Sequence, residues 1–184
     1  MLNGYKICLD PGHGEGNNQS PVVPEYKEGT RMWEYSWILK KELEEQGFEV
    51  FHTRPKITDD PSLSDRGYYA GTKKCDLMLS LHSNAPGSSI GPDGKKYYDP
   101  TIKGAVTVPT LRALSWSKPF AMDLAQKVGE LMGSGVRAVF TKESDSMPGW
   151  DWYGILKYSM WYGCKNAVII DSGKSATRKM QDGY

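Results

Sequence analysis

The run Asp76-Leu77-Met78-Leu79-Ser80-Leu81 constrains the fold of this chain most. Its side chains are apolar apart from Asp76 at the start and Ser80, so it reads as a buried strand. Strands of that kind belong to parallel sheets covered on both sides. The rest of the chain fits the same plan. Tyr5–Leu9, Phe48–Thr53, Val136–Phe140 and Ala167–Ile170 are further short apolar runs, and Ala105–Val108 is a candidate strand. Helical patterns separate them. Arg31–Gln46 carries Met32, Tyr35, Leu39 and Leu43 at helical spacing, with Thr30 as N-cap and Gly47 just past the end. Leu63–Lys73, Pro119–Met132 and Trp152–Trp161 read as further helices, and Ala85–Lys103, rich in Gly, Pro, Ser and Lys, reads as an exposed loop. This alternation predicts an α/β fold: a single domain over residues 1–184, with a mostly parallel central sheet flanked by helices on both faces.

Bulk properties narrow the function classes. A chain of 184 residues can bury one substantial core. A formal net charge of +1 argues against a broad basic surface for nucleic acid. No run approaches the ~18 apolar residues that a membrane crossing needs. The first residues lack a basic segment followed by an apolar signal core, which predicts synthesis in the cytoplasm without a signal peptide. Cys8, Cys75 and Cys164 are far apart, lack the spacing of a zinc knuckle, and read as buried free thiols.

Parallel sheets bind ligands beyond the carboxyl ends of their strands, and this rule ranks the polar residues. His13 follows the first strand in Leu9-Asp10-Pro11-Gly12-His13-Gly14, with Gly12 and Gly14 expected to take unusual backbone angles and to leave space around the ring. His82 follows the third strand, in Ser80-Leu81-His82-Ser83-Asn84-Ala85. Glu143 lies beyond Val136–Phe140, Asp171 follows the last strand, and Glu28 precedes the first helix. All five are expected at one edge of the sheet. Two neutral imidazoles and a carboxylate form a common catalytic zinc shell with a fourth position open. Glu25, Glu28 and Glu34 are the candidate carboxylates, and Glu28 is preferred because it projects where the helix begins. Asp10 reads either as a turn-forming residue or as the acceptor that orients His13. His52, inside a strand pattern, reads as structural or exposed.

Taken together, Leu9-Asp10-Pro11-Gly12-His13-Gly14, Glu28-Gly29-Thr30, Phe48-Glu49-Val50-Phe51-His52-Thr53-Arg54, Leu63-Ser64-Asp65-Arg66-Gly67 and Ser80-Leu81-His82-Ser83-Asn84-Ala85 resemble the zinc-dependent N-acetylmuramoyl-L-alanine amidase family, as found in phage endolysins and bacterial autolysins. The match in order and spacing runs from Lys6 to about Ala85 and continues more loosely to the last strand. The resemblance implies a peptidoglycan hydrolase that cuts the amide between N-acetylmuramic acid and the L-alanine of the stem peptide. It implies zinc as cofactor, held by His13, Glu28 and His82, and a carboxylate that takes the proton of water. Peptidoglycan would be the partner, and the bacterial cell wall the place of action, as for a lysin that a separate protein releases during phage lysis.

The chain departs from the family pattern near its end. The family carries a glutamate after the last core strand, whereas Val168-Ile169-Ile170-Asp171-Ser172-Gly173-Lys174 offers Asp171. Aspartate keeps the charge but shortens the reach by about 1.5 Å. Three readings stay open: Asp171 acts from an adjusted backbone, Glu143 acts in its place, or the domain binds walls without cutting well. The family domain usually continues into another helix, whereas here a polar tail follows, so a sheet face is expected either to be less covered or to be covered by a second copy of the chain. No separate cell-wall binding domain is expected, so wall affinity would fall to this domain. Asn84 is a candidate substrate contact. So are Trp150 and Trp152 in the Pro148-Gly149 loop, whereas Tyr158, Trp161 and Tyr162 at helical spacing read as core.

Overall fold

The computed structural model describes residues 4–20, 25–83, 88–90, 92–93, 96–98 and 103–172. Asn84 and the chain from Gly173 onward, on which two of the expectations above fall, lie outside these residues. The strands are β1 (Lys6–Pro11), β2 (Glu49–His52), β3 (Leu77–His82), β4 (Ser88–Ile90), β5 (Lys96–Tyr98), β6 (Ala105–Pro109), β7 (Val136–Val139) and β8 (Ala167–Asp171). The helices are α1 (Glu28–Glu45), α2 (Leu63–Thr72), α3 (Leu114–Leu131) and α4 (Gly154–Trp161). No helix among the described residues is long and apolar enough to cross a membrane.

Six strands form one sheet in the order β2-β1-β3-β8-β6-β7. Every neighbouring pair is parallel except β6–β8. The expected mostly parallel sheet is therefore present, with one reversal that apolar patterning has no means of showing, because strand direction leaves burial unchanged. β4 and β5 pair as a separate antiparallel two-stranded sheet inside the segment expected to be loop.

Alternation along the strands splits the core in two. Ile7 and Leu9, Leu77, Leu79 and Leu81, and Val168 and Ile170 pack with Met32 of α1 and with Ala121 and Ala125 of α3. Cys8, Met78, Ala167 and Ile169 face the other way, onto Ala70 of α2 and Ile155 and Leu156 of α4. Cys75 and Cys164 join this second cluster, and all three cysteines are buried free thiols as expected. On that side the helices meet at their backbones. A Cβ at Gly67 would lie 2.6 Å from the Ser159 nitrogen, and one at Gly71 would lie 2.1 Å from the Tyr162 carbonyl oxygen.

Four element boundaries differ instructively. α1 begins at Glu28 rather than Arg31, and its cap is Lys27, whose side chain makes no capping bond. Thr30 lies inside the helix and accepts a hydrogen bond from the Gly16 nitrogen at 3.2 Å. The first N–H groups of α1 are satisfied instead by loop carbonyls: Glu28 donates to Asn18 at 3.1 Å and Gly29 to Asn17 at 3.2 Å. α3 starts at Leu114 and carries Pro119 in its interior. β3 and β8 each run one residue past the apolar run, so His82 and Asp171 are strand residues with a fixed register.

Candidate metal centre and cleft

β1, β3 and β8 lie side by side and parallel, so Pro11, His82 and Asp171 finish at one edge of the sheet. Past Pro11 the chain turns at Gly12, whose nitrogen donates to the Leu81 carbonyl at 2.9 Å. His13 then takes a left-handed backbone angle, φ 62°. Few non-glycine residues adopt this region, although histidine is enriched among those that do. The unusual angle therefore belongs to His13, and neither Gly12 nor Gly14 takes one. The two glycines supply room instead. A Cβ on Gly12 would lie 2.2 Å from Cε1 of His82, and one on Gly14 would lie 2.4 Å from Oδ2 of Asp60.

These constraints bring His13, Glu28 and His82 together, with one ligand atom of each within 4.8 Å of the others. The two imidazole rings stand edge to face, with centroids 5.0 Å apart. Glu28 is buried. Its Oε1 lies 3.0 Å from Nδ1 of His82 and accepts the Ser83 N–H at 2.8 Å. Its Oε2 lies 3.5 Å from Nε2 of His13. Burial alone would push the Glu28 carboxyl up. Hydrogen bonds and charge from His13 and His82 overcome that and hold it down at about 2. Burial likewise works against a charged His82, but the bond to Glu28 and its negative charge raise the ring above its usual value. The site is thus an anion wedged between two imidazoles, the electrostatic partner of a cation.

A cleft of about 360 Å³ opens beside this cluster. His13, His82 and Asp171 line it together with Leu63, Tyr153 and Gly154. Asp171 sits directly opposite His82 in the β3–β8 register. Burial raises its pKa most and neighbouring Glu28 adds to this, against the opposing charge of His82, so the carboxyl titrates above the usual aspartate range.

Of the five residues expected at this edge, Glu143 alone is elsewhere. It is exposed, it accepts the Gly149 N–H at 2.5 Å, and its backbone bridges to Asp151 outside the cleft lining. Trp150 is half-buried between the Arg112 guanidinium, 4.5 Å from its ring centroid, and Trp161 at 5.0 Å. Trp152 is exposed under the Lys142 ammonium and meets Tyr153 edge-on at 5.0 Å. Neither tryptophan lines the cleft itself. Trp161 and Tyr162, expected in the core, are exposed, because α4 buries only a narrow stripe of Ile155, Leu156 and Ser159 against the glycine face of α2.

Asp10 fits neither of its two expected roles. Its oxygens accept from Thr53 at 2.7 Å, Ser80 at 2.7 Å and Arg66 at 2.9 Å, so it serves neither the local turn nor the His13 ring. It acts on His13 through Arg66, which donates to the Pro11 carbonyl at 2.8 Å and the His13 carbonyl at 3.1 Å. Burial raises the Asp10 pKa, but the Arg66 charge and the Ser80 and Thr53 bonds bring it below its usual value. Arg54, fully buried, ties the Gly29 carbonyl at 2.9 Å to those of Ile57 and Asp59. His52 is buried and structural: Nδ1 accepts the Arg54 N–H at 3.2 Å, and Nε2 lies 2.5 Å from Ser36 Oγ. Asn18 is a residue that sequence patterning missed, for its amide nitrogen reaches both Glu28 Oε2 and, at 3.3 Å, His13 Nε2.

Comparison with known proteins agrees with this architecture. No curated protein sequence matches the chain. Among solved structures, Cwp6 from Clostridium difficile superposes with a TM-score of 0.76 at 20% identity, covering 98% of this chain and 26% of that one. This chain thus spans about a quarter of Cwp6. The catalytic domain of CwlV, an N-acetylmuramoyl-L-alanine amidase from Bacillus (Paenibacillus) polymyxa var. colistinus, gives 0.68 at 19% identity, covering 95% of this chain and 83% of that one. The catalytic domain of the CD27L endolysin targeting Clostridia difficile gives 0.52 at 16% identity, covering 93% and 82%. At such identities the superpositions speak for the fold. Family is a matter of sequence, and there the model for N-acetylmuramoyl-L-alanine amidase matches residues 7–161. That span is most of the chain, which therefore belongs to the N-acetylmuramoyl-L-alanine amidase family.

Proposed function

We propose that this amidase hydrolyses the bond between the lactyl carbonyl of N-acetylmuramic acid and the L-alanine nitrogen of the stem peptide, with His13, Glu28 and His82 holding a zinc ion and Asp171 moving the proton. The observation that carries the reading is a cluster of two imidazoles and a carboxylate within 4.8 Å, its two imidazoles lining one cleft with a second carboxylate, Asp171. Two histidines and a carboxylate with a fourth position open suit catalytic zinc. The surroundings fit as well: Gly12 makes space for the His82 ring, and the Ser83 N–H fixes one oxygen of Glu28. When bound, zinc supplies a Lewis acid for the scissile carbonyl and lowers the pKa of water to about 7.

The remaining work belongs to the chain. Asp171 accepts the proton of the attacking water and passes it to the departing amine. A carboxyl raised by burial suits that task, because it can hold the proton between the two transfers. Its register beside His82 starts the short side chain close to the ligands, which favours Asp171 over Glu143 as the base. Trp152, exposed next to Tyr153 at the cleft, is suited to stack on a sugar, with Asn84 and Trp150 as further substrate contacts. The place of action is the bacterial wall, reached by a chain made in the cytoplasm, as in phage lysis.

Purified cell walls test this reading. The protein should release L-alanine N-termini from intact glycan strands, lose activity on chelation and regain it with zinc. Fragments cut within the stem peptide would make it a metallopeptidase. The aspartate in a glutamate position supports one competing reading, a wall-binding module with weak catalysis. Binding to walls with no new amino groups would decide for it.

A further inference from the structure

We infer that Asn18 is a positioning residue of the metal site, its side-chain amide holding Glu28 and His13 in the arrangement a cation requires. The inference rests on the metal reading above and concerns a residue to which that reading gives no part.

Backbone contacts fix where the amide points. Residues 14–18 are strapped to the first turn of α1. The Asn17 nitrogen donates to the Gly14 carbonyl at 3.2 Å, and the Asn17 and Asn18 carbonyls accept from Gly29 and Glu28. The Gly16 nitrogen donates to Thr30 Oγ1. Asn18 itself is left-handed, φ 56°, a conformation asparagine tolerates better than most side chains. With the backbone so held, Nδ2 donates to Glu28 Oε2 and lies 3.3 Å from His13 Nε2.

Two consequences follow from the chemistry of an amide. The last torsion of a glutamate is broad, so its carboxylate plane is set by its partners. Here each oxygen has its own donor from a separate segment, Ser83 N–H on Oε1 and Asn18 Nδ2 on Oε2. An amide NH2 only donates, so the His13 nitrogen facing it is the unprotonated one, the tautomer able to ligate a metal. Asn18 does both without a positive charge, so it orders the anion without neutralising it as lysine or arginine would.

The test is Asn18→Gly, which keeps the left-handed backbone and removes only the amide. Zinc affinity is read by competition with a chromophoric chelator, and the melting temperature is read on the metal-free chain. The expected result is zinc binding weakened ~10-fold or more, as for other groups that orient metal ligands, with the metal-free melting temperature unchanged. Unchanged zinc affinity overturns the inference, and a fall in metal-free melting temperature alone marks Asn18 as purely structural. If the unaltered chain binds no zinc, the metal reading fails first and takes this inference with it.

Discussion

Arg66 and Asp10 form an ion pair of 2.9 Å in which neither side chain is more than 3% exposed. The same guanidinium holds the carbonyls of Pro11 and His13, so a buried charge pair stands behind the left-handed backbone of a candidate metal ligand. Arg66→Ala leaves Asp10 buried without its counter-charge. Loss of one partner of a buried pair costs about 3–5 kcal/mol, and urea unfolding should show a loss of that size. Arg66→Lys keeps the charge but not the planar fork, so it should recover only part of the stability and less of the zinc affinity.

Gly12→Ala tests the packing of His82 against the turn. The added Cβ would meet the imidazole at 2.2 Å from Cε1 and 2.6 Å from both ring nitrogens, so the ring must move. Misplacing a reacting group by ~1 Å can cost about a hundredfold in rate. Wall digestion by the variant should fall on that order, with a parallel loss of zinc affinity.

Asp171→Asn should slow wall digestion by about 10²–10⁴-fold, the range for a proton-transfer group, while zinc affinity is retained. Asp171→Glu restores the reach that the family pattern provides and should keep or raise the rate. Glu143→Gln should leave it unchanged. If Asp171→Asn cuts walls at the normal rate, the assigned base is wrong.

His52 predicts an acid limit to stability that has nothing to do with the cleft. Burial brings its pKa down to about 4, and the ring is satisfied only when neutral, with Nδ1 accepting from Arg54. The unfolded chain takes up this proton near its ordinary value of about 6.5, before the folded chain does. Stability is therefore complete above that value and drains away as pH falls towards 4. A depression of this size corresponds to about 3 kcal/mol. Denaturation followed from pH 7 to pH 4 should show the loss, and His52→Gln should flatten the curve across that window while lowering stability at neutral pH.

The grouping of His13, Glu28 and His82 was legible because each member sits at a boundary that patterning detects: His13 and His82 close apolar runs, and Glu28 stands where a helix opens. Asn18 was not legible, because its part depends on a left-handed turn and on loop carbonyls capping α1, and neither leaves a periodic trace. The start of α1 was misread for the same reason: Thr30 resembles a cap, but the capping comes from residues far back in the chain. The reversal of β6 was invisible to apolar patterning, and Trp161 was misplaced because a helix packed on glycines buries a narrower stripe than its apolar content suggests.

The backbone contact between α2 and α4 has a further consequence at the mouth of the cleft. Gly154 and Tyr153 at the start of α4 line it, and so does Arg66 of α2, which anchors the His13 turn. Gly67 and Gly71 lock the two helices together with no flexible side chain between them to act as a cushion. The parts of the lining that α2 and α4 supply are therefore held at one spacing by backbone contact. A glycan strand would be gauged against a fixed gap rather than gripped by a closing one, and bulk added to the sugar next to the stem peptide should be refused at the entrance rather than accommodated within.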